Sequence, residues 1–149
     1  MKSAFFDDFA KLLFLILLYF IQGIALGFFL GQIELVLTEA GITYTELSIV
    51  TYSVYPFSLK IFFSPIVETK YLKRVGKRRS WIIPMQITAA FLMIFLSYGI
   101  DSMIASKSIY TMTFFFFLII LCLSLQDIAV DGWAVEMLNE ENVKYASTT

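Results

Sequence analysis

Four long stretches of this chain carry almost no charge. No charged residue falls between Lys11 and Glu34, a gap of 22 positions. Residues 81–100 give 20 uncharged positions in a row and residues 108–126 give 19. Between Glu46 and Glu68 only Lys60 interrupts. A helix rising about 1.5 Å per residue needs roughly 20 apolar residues to cross the hydrocarbon core of a bilayer. The pattern therefore predicts four transmembrane helices, near 12–35, 45–67, 81–100 and 109–133. A short segment, 1–11, precedes them, a basic loop, 68–80, divides the second from the third, and a polar stretch, 134–149, follows the last. The expected fold class is an all-α membrane protein.

Composition points to the same solvent. Of the 149 residues 59% are hydrophobic and only 15% are charged, against about 45–50% and 25% in soluble domains. A small soluble domain has too little interior to hide that much apolar surface. The first span is predicted to be retained rather than cleaved. Its apolar run exceeds the 7–15 residues usual for a signal peptide, it follows Asp7 and Asp8, and no small-residue cleavage site ends it.

Net charge is −1, but the basic residues are not spread evenly: six of eleven lie in "KYLKRVGKRR", residues 70–79. The neighbouring loops, 38–44 and 101–108, hold only Lys107. The positive-inside rule puts the 68–80 loop and the N-terminus in the cytosol. Tyr71, Trp81 and Trp133 then mark the cytosolic interface, and Tyr44, Tyr98 and Tyr110 the opposite one.

Three features inside the spans call for partners. Gly23, Gly27 and Gly31 recur every four residues in "GIALGFFLG", a small-residue face suited either to a static helix-packing seam or to a helix that glides. Pro56 bends the second span, and Lys60 lies about 10 Å of helix rise from its cytosolic end. An intramembrane lysine either snorkels to the interface or faces a cavity or counter-charge. Asp127 and Asp131, four apart and on one face of the last span, are the available acids. Matching depths pair Asp127 with Lys60. Asp131 either reaches the basic loop or ends the helix in headgroup water.

The residues give no support to an enzyme, a metal site or a cofactor. There is no histidine, the single cysteine, Cys122, sits in mid-span, and no glycine loop suited to phosphate appears. Nor do they suggest a nucleic-acid partner, since the basic cluster belongs to a membrane loop.

Five segments carry a resemblance: "YFIQGIALG" (19–27), "YPFSLKIFFSPIVE" (55–68), "GKRRSWIIPMQ" (76–86), "QDIAVDGWAVEML" (126–138) and "ENVKYAST" (141–148). Together they are similar to the acetyl-coenzyme A transporter family of the major facilitator superfamily. The resemblance implies the first four transmembrane helices of a twelve-helix bundle that works by alternating access. It implies acetyl-coenzyme A as the cargo, carried from the cytosol into the endoplasmic reticulum or Golgi lumen, and an endoplasmic reticulum membrane location. On the same ground the loop looks like a cytosolic gate built from Glu68, Gly76, Lys77, Arg78 and Arg79, with Asp127 or Asp131 as counter-charges. Gln22, Lys60 and Asp127 become candidates for the substrate cavity. Two positions depart from the family pattern: Ala25 replaces a usual proline and Glu68 a usual aspartate. The chain stops about where a fifth helix should begin, so a truncated carrier, dependent on its remaining helices and on the lipid bilayer, is expected. Muropeptide- or folate-type permeases share the architecture and are the alternative cargo class. A non-transporting membrane fragment is the alternative of another kind.

Overall fold

The computed structural model describes residues 2–137. Every regular element is helical. Helix α1 (Lys2–Gly27) widens into a π turn (Phe28–Gln32) and continues as α2 (Ile33–Glu39), forming one rod. At its end Gly41 takes a positive φ of 78°, and the Ile42 N–H returns to the Leu37 carbonyl at 3.0 Å. This left-handed stop reverses the chain within four residues. Thr43 then caps α3 (Tyr44–Thr51) through a reciprocal capping box with Glu46.

The stretch expected as one helix over 45–67 is broken. After α3 come a 3₁₀ turn (Tyr52–Val54), a single α turn, α4 (Tyr55–Ser58), and α5 (Lys60–Thr69). Pro56 brings no N–H to the ladder, the preceding residues tighten into the 3₁₀ turn, and Leu59 leaves helical geometry at φ −93°, ψ 8°. Lys60 is thus the first residue of a new helix rather than an interior one.

Two long helices complete the fold, α6 (Arg79–Ala105) and α7 (Ile109–Met137). Both outrun their expected ends, and the connection expected at 101–108 shrinks to Ser106–Ser108. Three helical stretches, Leu12–Glu39, Arg79–Ala105 and Ile109–Glu136, are long and apolar enough to cross a membrane. The chain is a multi-pass membrane protein.

Helix α7 is the axis against which α1, α3, α4, α5 and α6 all pack. Met112, Ile119, Ser124, Ala129 and Val130 along it are fully enclosed. Two apolar clusters flank its midpoint. Phe29, Ile33, Leu37, Leu47 and Leu96 meet Met112, Phe116 and Ile120 toward the Gly41 end, and Val67 and Ile82 meet Ile128–Val130 toward the loop end. Phe29 and Phe116 touch edge to face, with centroids 5.6 Å apart. By contrast α1 presents Ile16, Phe20, Ile24 and other large side chains outward, as lipid-facing residues do.

The packing face of α1 differs from the one its glycines suggest. The buried stripe is Leu15, Gln22 and Phe29. A Cβ added to Gly23, Gly27 or Gly31 would meet nothing within 4 Å among the described residues, so no close seam forms on that face here. Beside it, α1, the π turn and α6 enclose a groove of about 580 Å³, lined by Ile24, Phe28, Met93 and Ile100 among others.

Candidate functional site

Polar side chains gather at two levels of this apolar bundle. The deeper set is built from three helices. Lys60 Nζ donates to Asp127 Oδ2 at 2.8 Å and lies 3.7 Å from Asp131 Oδ2. Tyr19 on α1 donates its hydroxyl to Asp131 Oδ1 at 2.6 Å, and the Phe57 ring lies 5.0 Å from the Lys60 ammonium. Asp127 is ten residues from the end of α7 and Lys60 nine from the end of α5. At about 1.5 Å per residue Lys60 and Asp127 lie some 14 Å in from the loop end of their helices.

The break before α5 places the lysine. Starting a new helix at residue 60 turns its side chain toward α7, where the i, i+4 spacing of Asp127 and Asp131 presents both acids on one face. A lysine at such depth is tolerated when paired. Asp131 therefore belongs to the deep set, rather than reaching the basic loop or ending the helix in headgroup water. Its side chain is 48% exposed and that of Asp127 only 11%, so the set opens to one side.

Gln22 is a further polar residue at this depth, as is the buried Gln126. It is one turn past Tyr19 on α1. The Tyr19–Asp131 and Phe29–Phe116 contacts fix an antiparallel register that puts it level with Leu125–Asp127. It is 4% exposed, and neither its Nε2 nor its Oε1 has a partner among the described residues. Buried amide atoms are normally satisfied, so Gln22 is an exception among the described residues.

The second set closes the loop end. Arg78 forks onto Glu136, Nε to Oε2 at 3.2 Å and Nη2 to Oε1 at 2.7 Å, and its Nη1 donates to Glu68. Lys77 pairs with the other Glu68 oxygen and lies 3.7 Å from Glu136. Hydrogen bonds from Arg78 and then Lys77 hold the Glu68 carboxyl below the usual carboxylate range. The guanidinium is seated directly on Gly132, where a Cβ would collide with it. Gly76, at φ 99°, makes the turn that delivers Lys77 and Arg78. The loop is tied down by Trp81 Nε1 donating to the Lys70 carbonyl at 2.6 Å and Ser80 Oγ donating to the Gly76 carbonyl at 2.6 Å.

The counter-charge for the loop is thus Glu136, rather than Asp127 or Asp131. The expected end of the last span at 133 hid it. Because α7 continues to Met137, Glu136 falls one turn beyond Gly132 on the same face, a spacing that "DGWAVE" carries in plain view. Arg79, the first residue of α6, is exposed and forms no ion pair among the described residues.

A protein-family model described as acetyl-coenzyme A transporter 1 matches residues 11–149. The chain belongs to this family. Membership in the acetyl-coenzyme A transporter 1 family, within the major facilitator superfamily, sets it among transporters rather than enzymes. Among the described residues no group of three His, Cys, Asp or Glu could hold a metal ion. An uncharacterized protein of Schizosaccharomyces pombe is 40% identical over 137 residues, covering 91% of this chain and 26% of its own length. An uncharacterized membrane protein of Saccharomyces cerevisiae is 38% identical over 160 residues, covering 95% and 29%. A Rickettsia conorii protein assigned by name as a transporter, AmpG 4, is 29% identical over 150 residues, covering 97% and 34%. The chain thus spans a quarter to a third of the length of these curated relatives. No solved structure matches it significantly.

Proposed function

We propose that this chain forms the first four crossings of a twelve-helix carrier that moves acetyl-coenzyme A from the cytosol into the lumen of the endoplasmic reticulum or Golgi. The observation that carries the reading is the family match over residues 11–149. In it, α1–α2, the broken run α3–α5, α6 and α7 are the four crossings, with the 70–80 loop on the cytosolic side. Alternating access around a site near the bilayer midplane is how such carriers work, and Lys60 with Gln22 supplies this chain's share of that site. Glu68, Lys77, Arg78 and Glu136 lock the cytosolic end when the carrier is closed to the cytosol. The unpartnered glycine face of α1 and the apolar groove beside α6 are surfaces that further helices of a carrier would cover.

The resemblance to muropeptide-type permeases, beside a Rickettsia relative named as a transporter, favours a second cargo class, muropeptides, on the same architecture. The two readings separate in proteoliposomes. Labelled acetyl-coenzyme A should enter vesicles holding the product of the complete reading frame, and not vesicles holding the 149-residue chain alone. Absence of uptake by a well-folded complete product would remove acetyl-coenzyme A as the cargo and leave the muropeptide class to be assayed in the same vesicles.

A further inference from the structure

Four cations of the basic loop take no part in the lock. Of the six basic residues between 70 and 79, Lys77 and Arg78 are engaged by Glu68 and Glu136. Lys70, Lys73, Arg74 and Arg79 are exposed and form no ion pair among the described residues. Charge alone suffices to orient a membrane loop, but this loop is also ordered and partly apolar. The Leu72 carbonyl accepts from the Val75 and Gly76 N–H groups, both at 3.0 Å, which closes a single turn. Ser80, in the first turn of α6, pins it by accepting from the Leu72 N–H at 3.1 Å. Within the turn Leu72 and Val75, three apart, share one edge, and Lys73 and Arg74 occupy the other. Leu72 is 65% exposed, and Tyr71 and Val75 are exposed as well.

A surface of this make-up fits a boundary between water and lipid. We propose that the 72–76 turn and the start of α6 form a binding site for an anionic phospholipid of the cytosolic leaflet. Lys73, Arg74 and Arg79 hold its phosphate-bearing headgroup, and Leu72 and Val75 rest against the upper part of its acyl chains. The chains have a track below. Ile83, Ile87 and Phe91 on α6 are exposed and lie away from the stripe by which that helix packs, Ile82, Ala89 and Leu96. Arg79 stands one turn from Ile83 on the loop side. Cations set over an apolar track match an anionic lipid, whereas a soluble anion gains nothing from the exposed apolar side chains beside them. The turn is already hydrogen-bonded, so little ordering of the backbone is left to oppose binding. This site is separate from the lock, whose cations stay on Glu68 and Glu136. It requires a loop on the cytosolic side and no particular cargo.

The test measures lipid retained by the purified full-length protein in detergent, by native mass spectrometry over a lipid titration. Dioleoyl phosphatidylserine should be retained about tenfold or more tightly than dioleoyl phosphatidylcholine, as expected where several cations each favour an anionic headgroup. Lys73→Gln, Arg74→Gln and Arg79→Gln together should bring the two lipids close to equal. Arg74→Lys with Arg79→Lys should keep the preference, as should Lys107→Gln at the exposed turn before α7. Equal retention of the two lipids by the wild-type protein overturns the site. A preference undiminished in the triple variant overturns its assignment to these residues. Should the triple variant fail to fold, Arg79→Gln alone decides: a loss of about two- to fivefold supports the site, and no loss overturns it. Displacement of the lipid by an equal concentration of inorganic phosphate overturns the lipid as occupant, since it would reveal a site for free anions. Retention is read without any cargo, so failure here leaves the carrier reading standing, and failure of acetyl-coenzyme A uptake leaves the lipid site standing.

Discussion

Replacing Gly132 by alanine should reverse its usual sign depending on one distant residue. In most helices Gly→Ala is stabilising, by about 0.5–1 kcal/mol. Here the new Cβ would occupy the place of the Arg78 guanidinium, so the arginine must leave its seat. It is 8% exposed and donates to Glu136 and Glu68. Unseating a buried, doubly paired guanidinium costs about 3–5 kcal/mol in a fully buried setting. The carboxylate side chains here are 37% and 48% exposed, which brings the loss down to about 1–3 kcal/mol. Melting of the purified carrier in detergent should therefore fall for Gly132→Ala. In an Arg78→Ala background the collision is gone, and the same substitution should be neutral or raise the melting temperature. This double-mutant cycle isolates the seat from everything else the glycine does. Equal destabilisation in both backgrounds would refute the argument, because it would mean Gly132 is needed for some contact other than Arg78.

Lys60→Ala should cut uptake about tenfold or more, a loss of about 1.4 kcal/mol, since it removes the intramembrane cation and leaves two acids unpaired. Unchanged uptake with an unchanged salt dependence would end its role. Glu68, held below the ordinary carboxylate value of 4.5 by Arg78 and then Lys77, contributes stability above that value that disappears as pH falls through its lower native pKa. The melting-temperature gap between wild type and Glu68→Gln should accordingly stay constant from pH 7 down to about 4.5 and close in more acidic buffer. A gap that closes well above pH 4.5 would contradict the pairing. At the turn after α2, Gly41→Ala forces an L residue to φ 78° at about 1–2 kcal/mol. Gly41→Asn should be milder, and equal melting of the two would show that backbone strain is not the cause.

Three long apolar helices could be read from the chain because lipid imposes a length rule that leaves plain marks. The contact between Lys60 and Asp127 was legible for a related reason: a charge in a span must find a partner at its own depth, and few were available. Glu136 escaped because the end of α7 was set at Trp133, and an aromatic residue at an interface does not stop a helix. The break at Leu59 is only half-written in the sequence. Pro56 announces a bend, but whether the following turn resumes at 57 or at 60 is decided by packing against α7. The π turn at Phe28–Gln32 has no sequence signature of its own. The glycines of α1 marked a face that could be approached closely, and nothing local says which neighbour approaches it.

The break at Leu59 has one further consequence. It makes α5 a separate ten-residue rod with Lys60 at one end and Glu68 near the other, while α7 carries Asp127 and Asp131 on one face and Glu136 on another, which Arg78 joins to Glu68. The two helices are the rails of a short ladder, and the deep and outer ion pairs are its rungs, about 12 Å apart along α5. Rungs that share both rails are not independent fasteners. Withdrawing Lys60 from the lower rung leaves α5 held to α7 by the Arg78 bridge and by Val67 and Phe63 against Ile128–Val130.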